Sequence, residues 1–167
     1  MRFSPIILTV CTLASIGVSA ARAAGSAEVS FPNEARFTDA GASASDRAAN
    51  LAQLANHLKR LGARYLPDGK TLTVELLDVD LAGTSRPWRA TGTDVRVLRG
   101  RADWPRIELR YTLSGDVQSA RSGKESIADL NYLQRIGAYG PAEPLMHEKR
   151  MLDDWFRARF IEGRAAD

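Results

Sequence analysis

Arg106-Ile107-Glu108-Leu109-Arg110-Tyr111-Thr112-Leu113 alternates polar and apolar side chains without a break. Successive side chains of an extended strand point to opposite faces, so this stretch describes a strand with one buried and one wet face. Upstream, Thr71-Leu72-Thr73-Val74-Glu75-Leu76 alternates in the same way and then turns apolar on both sides through Leu77 and Val79, which suits a central strand. Asp94 to Arg99 predicts another strand with Val95 and Val97 facing inward. Val117 to Ile127 reads as a return strand after the turn at Gly115-Asp116, and Glu28 to Phe31 as a short first strand closed by Pro32.

Two helices complete the pattern. Leu51, Leu54, Ala55, Leu58 and Leu61 recur at three- and four-residue spacing, with Ser45 or Asp46 as the cap and Gly62 as the stop. Pro67-Asp68-Gly69 is a turn, and residues 131–144 a loop. From Pro144 a last helix carries Leu145, Met151, Leu152, Trp155, Phe156 and Phe160 on one side, leaving Lys149, Arg150, Asp153, Asp154 and Arg157 to solvent. The order β-α-β-β-β-β-α predicts an α+β fold: a mostly antiparallel sheet of four to five strands with two helices on one face, a two-layer sandwich. If the first two strands pair in parallel, the helix between them makes a right-handed crossover.

The amino terminus reads differently. Arg2 precedes an apolar run from Ile6 to Val18, and Ala21 and Ala23 form an A-x-A cleavage pattern. These are the parts of a secretory signal peptide, and the run is too short to span a bilayer, which takes ~20 apolar residues. Residues 1–23 are therefore expected to be a leader, 24–162 a single α+β domain and 163–167 a frayed tail. The only cysteine, Cys11, lies in the leader, so thiolate catalysis and cysteine-held zinc are excluded from the mature chain. Arg2 and Arg22 leave with the leader, and the net charge falls from +3 to +1, too little to suggest a nucleic-acid partner.

A family resemblance rests on several strings together. They are Leu77-Asp78-Val79-Asp80-Leu81-Ala82-Gly83, Pro87-Trp88, Asp94-Val95-Arg96-Val97, Asp103-Trp104-Pro105-Arg106-Ile107, Asn131-Tyr132-Leu133, and Glu148 through Phe156. In these the chain resembles the bacterial domain of unknown function 3016 family, over about residues 27–160. The resemblance implies an exported protein of Gram-negative bacteria. It supplies no catalytic residue.

Candidate chemistry is sparse. Asp78 and Asp80 lie two apart on a strand and share a face, as a cation site or an acid-base pair requires. A hard divalent cation needs about six oxygen ligands, however, so capping of turns or pairing with Arg96 or Arg99 is the simpler role. His57 and His147 sit among polar neighbours on helices and belong to no metal or nucleophile motif. Arg106 and Arg110, with Glu108 between them, make either an arginine ladder or a mutually paired wet face. Trp88, Arg89, Asn131, Tyr132, Arg135 and Tyr139 fall in loops, where aromatic rings beside arginine can stack on sugars and grip anions. Trp104 before Pro105 reads as a loop anchor.

These features predict a non-catalytic binding or interaction module of the cell envelope, periplasmic, contacting an envelope protein or an anionic glycan. The alternatives are a periplasmic hydrolase built on Asp78 and Asp80, and a scaffold subunit docking through its last helix. No cofactor, metal, nucleic acid or transmembrane segment of the mature chain is expected.

Overall fold

The computed structural model describes residues 24–88, 93–100, 102–115, 121–134 and 143–163. The elements are β1 (Ser26–Ser30), α1 (Ala44–Tyr65), β2 (Thr71–Asp80), β3 (Thr84–Trp88), β4 (Thr93–Val97), β5 (Arg106–Ser114), β6 (Arg121–Ala128) and α2 (Met146–Phe156). The main sheet has the order β1-β2-β5-β6. β1 pairs with β2 in parallel, and the other neighbours are antiparallel. The fold is α+β, as the alternation of β2 and β5 requires.

One face of that sheet is the core. Leu72, Val74 and Leu76 of β2 and Ile107, Leu109 and Tyr111 of β5 meet Leu51, Leu54 and Leu58 of α1 and Leu152, Trp155 and Phe156 of α2 in a single apolar cluster. The stripe on α2 is thus consumed inside the protein. A bulge between Leu76 and Asp78 resets the register, so Val79 returns to the core while Asp78 and Asp80 face out. On the wet face the charges pair across strands: Arg110 with Glu75 (2.7 Å), Arg106 with Asp80 (3.4 Å) and Lys124 with Glu108 (4.0 Å). Pairing, not a free arginine ladder, describes this face.

Several expectations need correction. Ser43 caps α1, its Oγ accepting from the Asp46 N–H at 3.1 Å, two or three residues earlier than predicted. The helix also runs past Gly62 to Tyr65. Gly62 is there for closeness, since a Cβ at that position would come within 2.7 Å of Ala27 on β1. Gly25, just before β1, is likewise packed against the Leu66 backbone, which a Cβ would approach to 2.3 Å.

β3 was hidden by Pro87, which removes a ladder donor. An outer position tolerates that loss, and β3 pairs only with β4, in a separate two-stranded sheet. β4 therefore stands apart from the main sheet, and Val95, expected to point inward, is exposed. β6 runs Arg121–Ala128, and positions 117–120 of the expected return strand lie outside the described residues.

α2 begins at Met146, after Leu145 in a left-handed conformation, rather than at Pro144. It continues into a π-turn, Arg157–Ile161, closed by Glu162 N–H to the Arg157 carbonyl at 2.9 Å. Lys149 and Arg150 are buried rather than solvated.

Candidate functional site

Where α1 passes α2 and the π-turn, a cleft of about 460 Å³ opens. His57, Arg60 and Arg64 recur at helical spacing along the rim of α1, next to its buried leucines. Asp153 and Arg157 face them from the other side, and Leu61 and Phe156 form the floor. Tyr65 and Ile161 line the mouth. The wide π-turn carries Arg157 and Ile161 into the lining, and such turns recur at functional positions.

His57 is buried, contrary to its expected polar surroundings. Its Nε2 lies 2.7 Å from Asp153 Oδ1, and its Nδ1 lies 3.3 Å from the Arg60 guanidinium. A guanidinium can only donate, so Nδ1 must accept and Nε2 must carry the proton given to Asp153. The Asp153–His57–Arg60 chain therefore aims Arg60 and occupies both imidazole nitrogens. Asp153 is the one carboxylate lining the cleft among the described residues. Glu143 lies near Arg60 and His57 but is ion-paired with Lys149, whose hydrogen bond and charge hold its carboxyl below the usual range. Arg64 sits 5.2 Å over the Tyr65 ring. The cleft is thus a cationic pocket with an apolar floor.

The family model described as protein of unknown function (DUF3016) matches residues 25–158. The chain belongs to the DUF3016 family. No curated protein and no solved structure matched it.

Residues from several of the strings that carry the DUF3016 resemblance meet at one joint, the turn Leu81–Gly83. Arg96 donates to the carbonyls of Leu81 (3.4 Å), Ala82 (3.2 Å) and Gly83 (3.2 Å), and grips both oxygens of Asp39 at 3.0 Å. Glu148 Oε1 accepts the Ala82 N–H at 2.7 Å. The Gly83 N–H reaches the Asp103 carbonyl at 2.8 Å, and Gly83 holds a φ of +80° that only glycine takes easily. Asp103 accepts from the Tyr132 hydroxyl (3.0 Å) and the Arg99 N–H (2.7 Å). Arg96, Asp103 and Glu148 of these strings hold the turn in place, with Tyr132 bonded to Asp103.

The structure places most of the sequence candidates. Asp78 gives both oxygens to Thr38, at 2.7 Å to its N–H and 2.7 Å to its hydroxyl. Asp80 pairs with Arg106; burial raises its pKa, with Asp39 and Asp78 adding to the rise and the two arginines opposing it. The pair is engaged in structure, Asp78 as a cap and Asp80 with Arg106 instead of Arg96 or Arg99. Tyr132 is no loop platform. It is fully buried, with its ring edge-on to His147 at 4.8 Å and its hydroxyl locked between Asp103 and Gly100. Asn131 is exposed beside it, Trp104 is half-buried, and Trp88 ends β3 opposite Thr93 instead of lying in a loop. Arg89, Arg135 and Tyr139 lie outside the described residues.

His147 is buried as well, against expectation. Desolvation, then the Arg150 charge, push its pKa down. Among the described residues no three His, Cys, Asp or Glu side chains gather as a metal would need, and no helix is long and apolar enough to cross a membrane.

Glu148 of this DUF3016 domain offers a measurement. It is 2% exposed, and burial raises its pKa against the pull of the Ala82 N–H and of Arg96 and Lys149. The folded state then keeps a proton that the unfolded chain has released, so stability falls as pH rises from about 4.5 through the raised folded value. Glu148→Gln, which keeps the acceptor for Ala82, should flatten this slope in urea unfolding at several pH values. An unchanged slope would refute the assignment.

Proposed function

We propose that this DUF3016 protein is an exported, non-catalytic binding module of the cell envelope that holds an anionic group in the α1–α2 cleft. One observation carries the reading: Arg60, Arg64 and Arg157 converge on a cleft whose single lining carboxylate among the described residues, Asp153, is already bonded to His57. Guanidinium groups are weakly hydrated planar donors that suit carboxylate and phosphate, and a partly apolar wall strengthens them by lowering the local dielectric. A binding role is the simpler reading, because both His57 nitrogens are engaged and each Asp78 oxygen already accepts from Thr38. The periplasmic address rests on the charged start, short apolar run and Ala21-x-Ala23 exit of the leader.

The protein recovered from the envelope fraction should begin at Ala24. Inorganic pyrophosphate should bind it in calorimetry with an affinity that drops as salt rises. Arg64→Ala and Arg157→Ala should each weaken that binding roughly tenfold or more, the scale of one charged hydrogen bond. Pyrophosphate bound equally well by both variants would remove the cleft from the proposal.

A further inference from the structure

Charge is only half of what lines this cleft. Tyr65 and Ile161, 39% and 49% exposed, belong to the small set of large apolar side chains that the described residues leave in solvent, and both line this cleft. They continue the apolar floor of Leu61 and Phe156 outward to the surface. In the same lining His57 is bonded to Asp153, the Tyr65 and Phe156 rings meet at 6.2 Å, and Arg64 lies over the Tyr65 ring. A small hydrophilic anion held by the arginines would leave the half-exposed side chains of Tyr65 and Ile161 uncovered. A ligand stem laid over Tyr65 and Ile161 would remove their apolar surface from water.

Resting on the anion-binding reading above, we propose that the ligand is an amphiphile: one anionic head, phosphate or carboxylate, on an apolar stem. Arg60, Arg64 and Arg157 take the head, and the stem lies along Leu61, Phe156, Tyr65 and Ile161. The cleft volume falls within the ordinary range for small-molecule sites, about 300–1,000 Å³. His57 is a positioning residue, because its bond to Asp153 turns the imidazole lone pair toward Arg60 and fixes that guanidinium at the rim.

The test compares octyl phosphate, below its micelle concentration, with inorganic phosphate, glucose 1-phosphate and the uncharged octyl glucoside, by calorimetry on the full exported protein. Octyl phosphate should bind at least roughly tenfold more tightly than each of the others, as partial burial of an alkyl chain predicts. Ile161→Ser and Tyr65→Ser change half-exposed side chains and should leave the fold intact, which circular dichroism checks. They should erase the octyl advantage while leaving inorganic phosphate unaffected, and Arg64→Ala should weaken both phosphates. Glucose 1-phosphate or inorganic phosphate binding as well as octyl phosphate would overturn the amphiphile and leave the anion site standing. Octyl glucoside binding as well as octyl phosphate, or no phosphate binding at all, would overturn both.

Discussion

Phe156→Ala should destabilise the protein by about 3–5 kcal/mol, the usual cost of emptying a phenylalanine site in a core. Phe156 is 1% exposed, and its ring meets those of Tyr65 (6.2 Å), Trp155 (6.3 Å) and Phe160 (5.0 Å). It sits where α1, α2 and the π-turn join, so neighbours held by three backbones cannot all close on the cavity. Thermal unfolding should drop by roughly 10 °C for a chain of this length. Phe156→Leu should recover much of the loss, because it refills most of the volume. A loss below about 1 kcal/mol for the alanine variant would mean that the two helices do not pack as described.

Arg96→Ala should be the other severe change, at about 2–4 kcal/mol. Arg96 and Asp39 are each about three-quarters covered, so the charges are screened less than surface ions but more than fully buried ones. Removal leaves the carbonyls of Leu81, Ala82 and Gly83 without their donor and Asp39 without its countercharge. Arg96→Lys should not restore stability, since an ammonium cannot span both carboxylate oxygens and the turn carbonyls together. Urea unfolding of both variants, with Asp39→Asn to close a double-mutant cycle, measures the coupling. A lysine variant as stable as the parent would show that charge alone, rather than the planar fork, holds the joint.

The sheet was legible because Leu72 to Val79 and Ile107 to Leu113 obey a period that needs no tertiary information. The α1 stripe was legible for the same reason. Pro87 hid β3, since proline argues against a strand unless the pairing partner is known. Lys149 and Arg150 were misplaced because residue type predicts exposure, whereas contacts decide it: beside them Glu148 is buried and bonds a turn more than sixty residues away. The cleft was the least visible feature. His57 and Asp153 stand 96 positions apart, and only the helix crossing brings them together. The basic spacing of His57, Arg60 and Arg64 was the one signal available, and charge at the end of a helix is ordinarily explained by the helix dipole.

The tight seat of Gly25 bears on the order of events in the cell. A processing enzyme must draw several residues on both sides of its target bond into an extended groove, and folded backbone resists this until it opens locally. With Gly25 pressed against Leu66, and Ser26 already bonded through its N–H to the Lys70 carbonyl at 3.0 Å, the segment after Ala23 has almost no slack once β1 has joined the sheet. If residues 1–23 are the leader we propose, trimming ahead of Ala24 belongs to the nascent, still unfolded chain, and a copy that folds first keeps its extra residues.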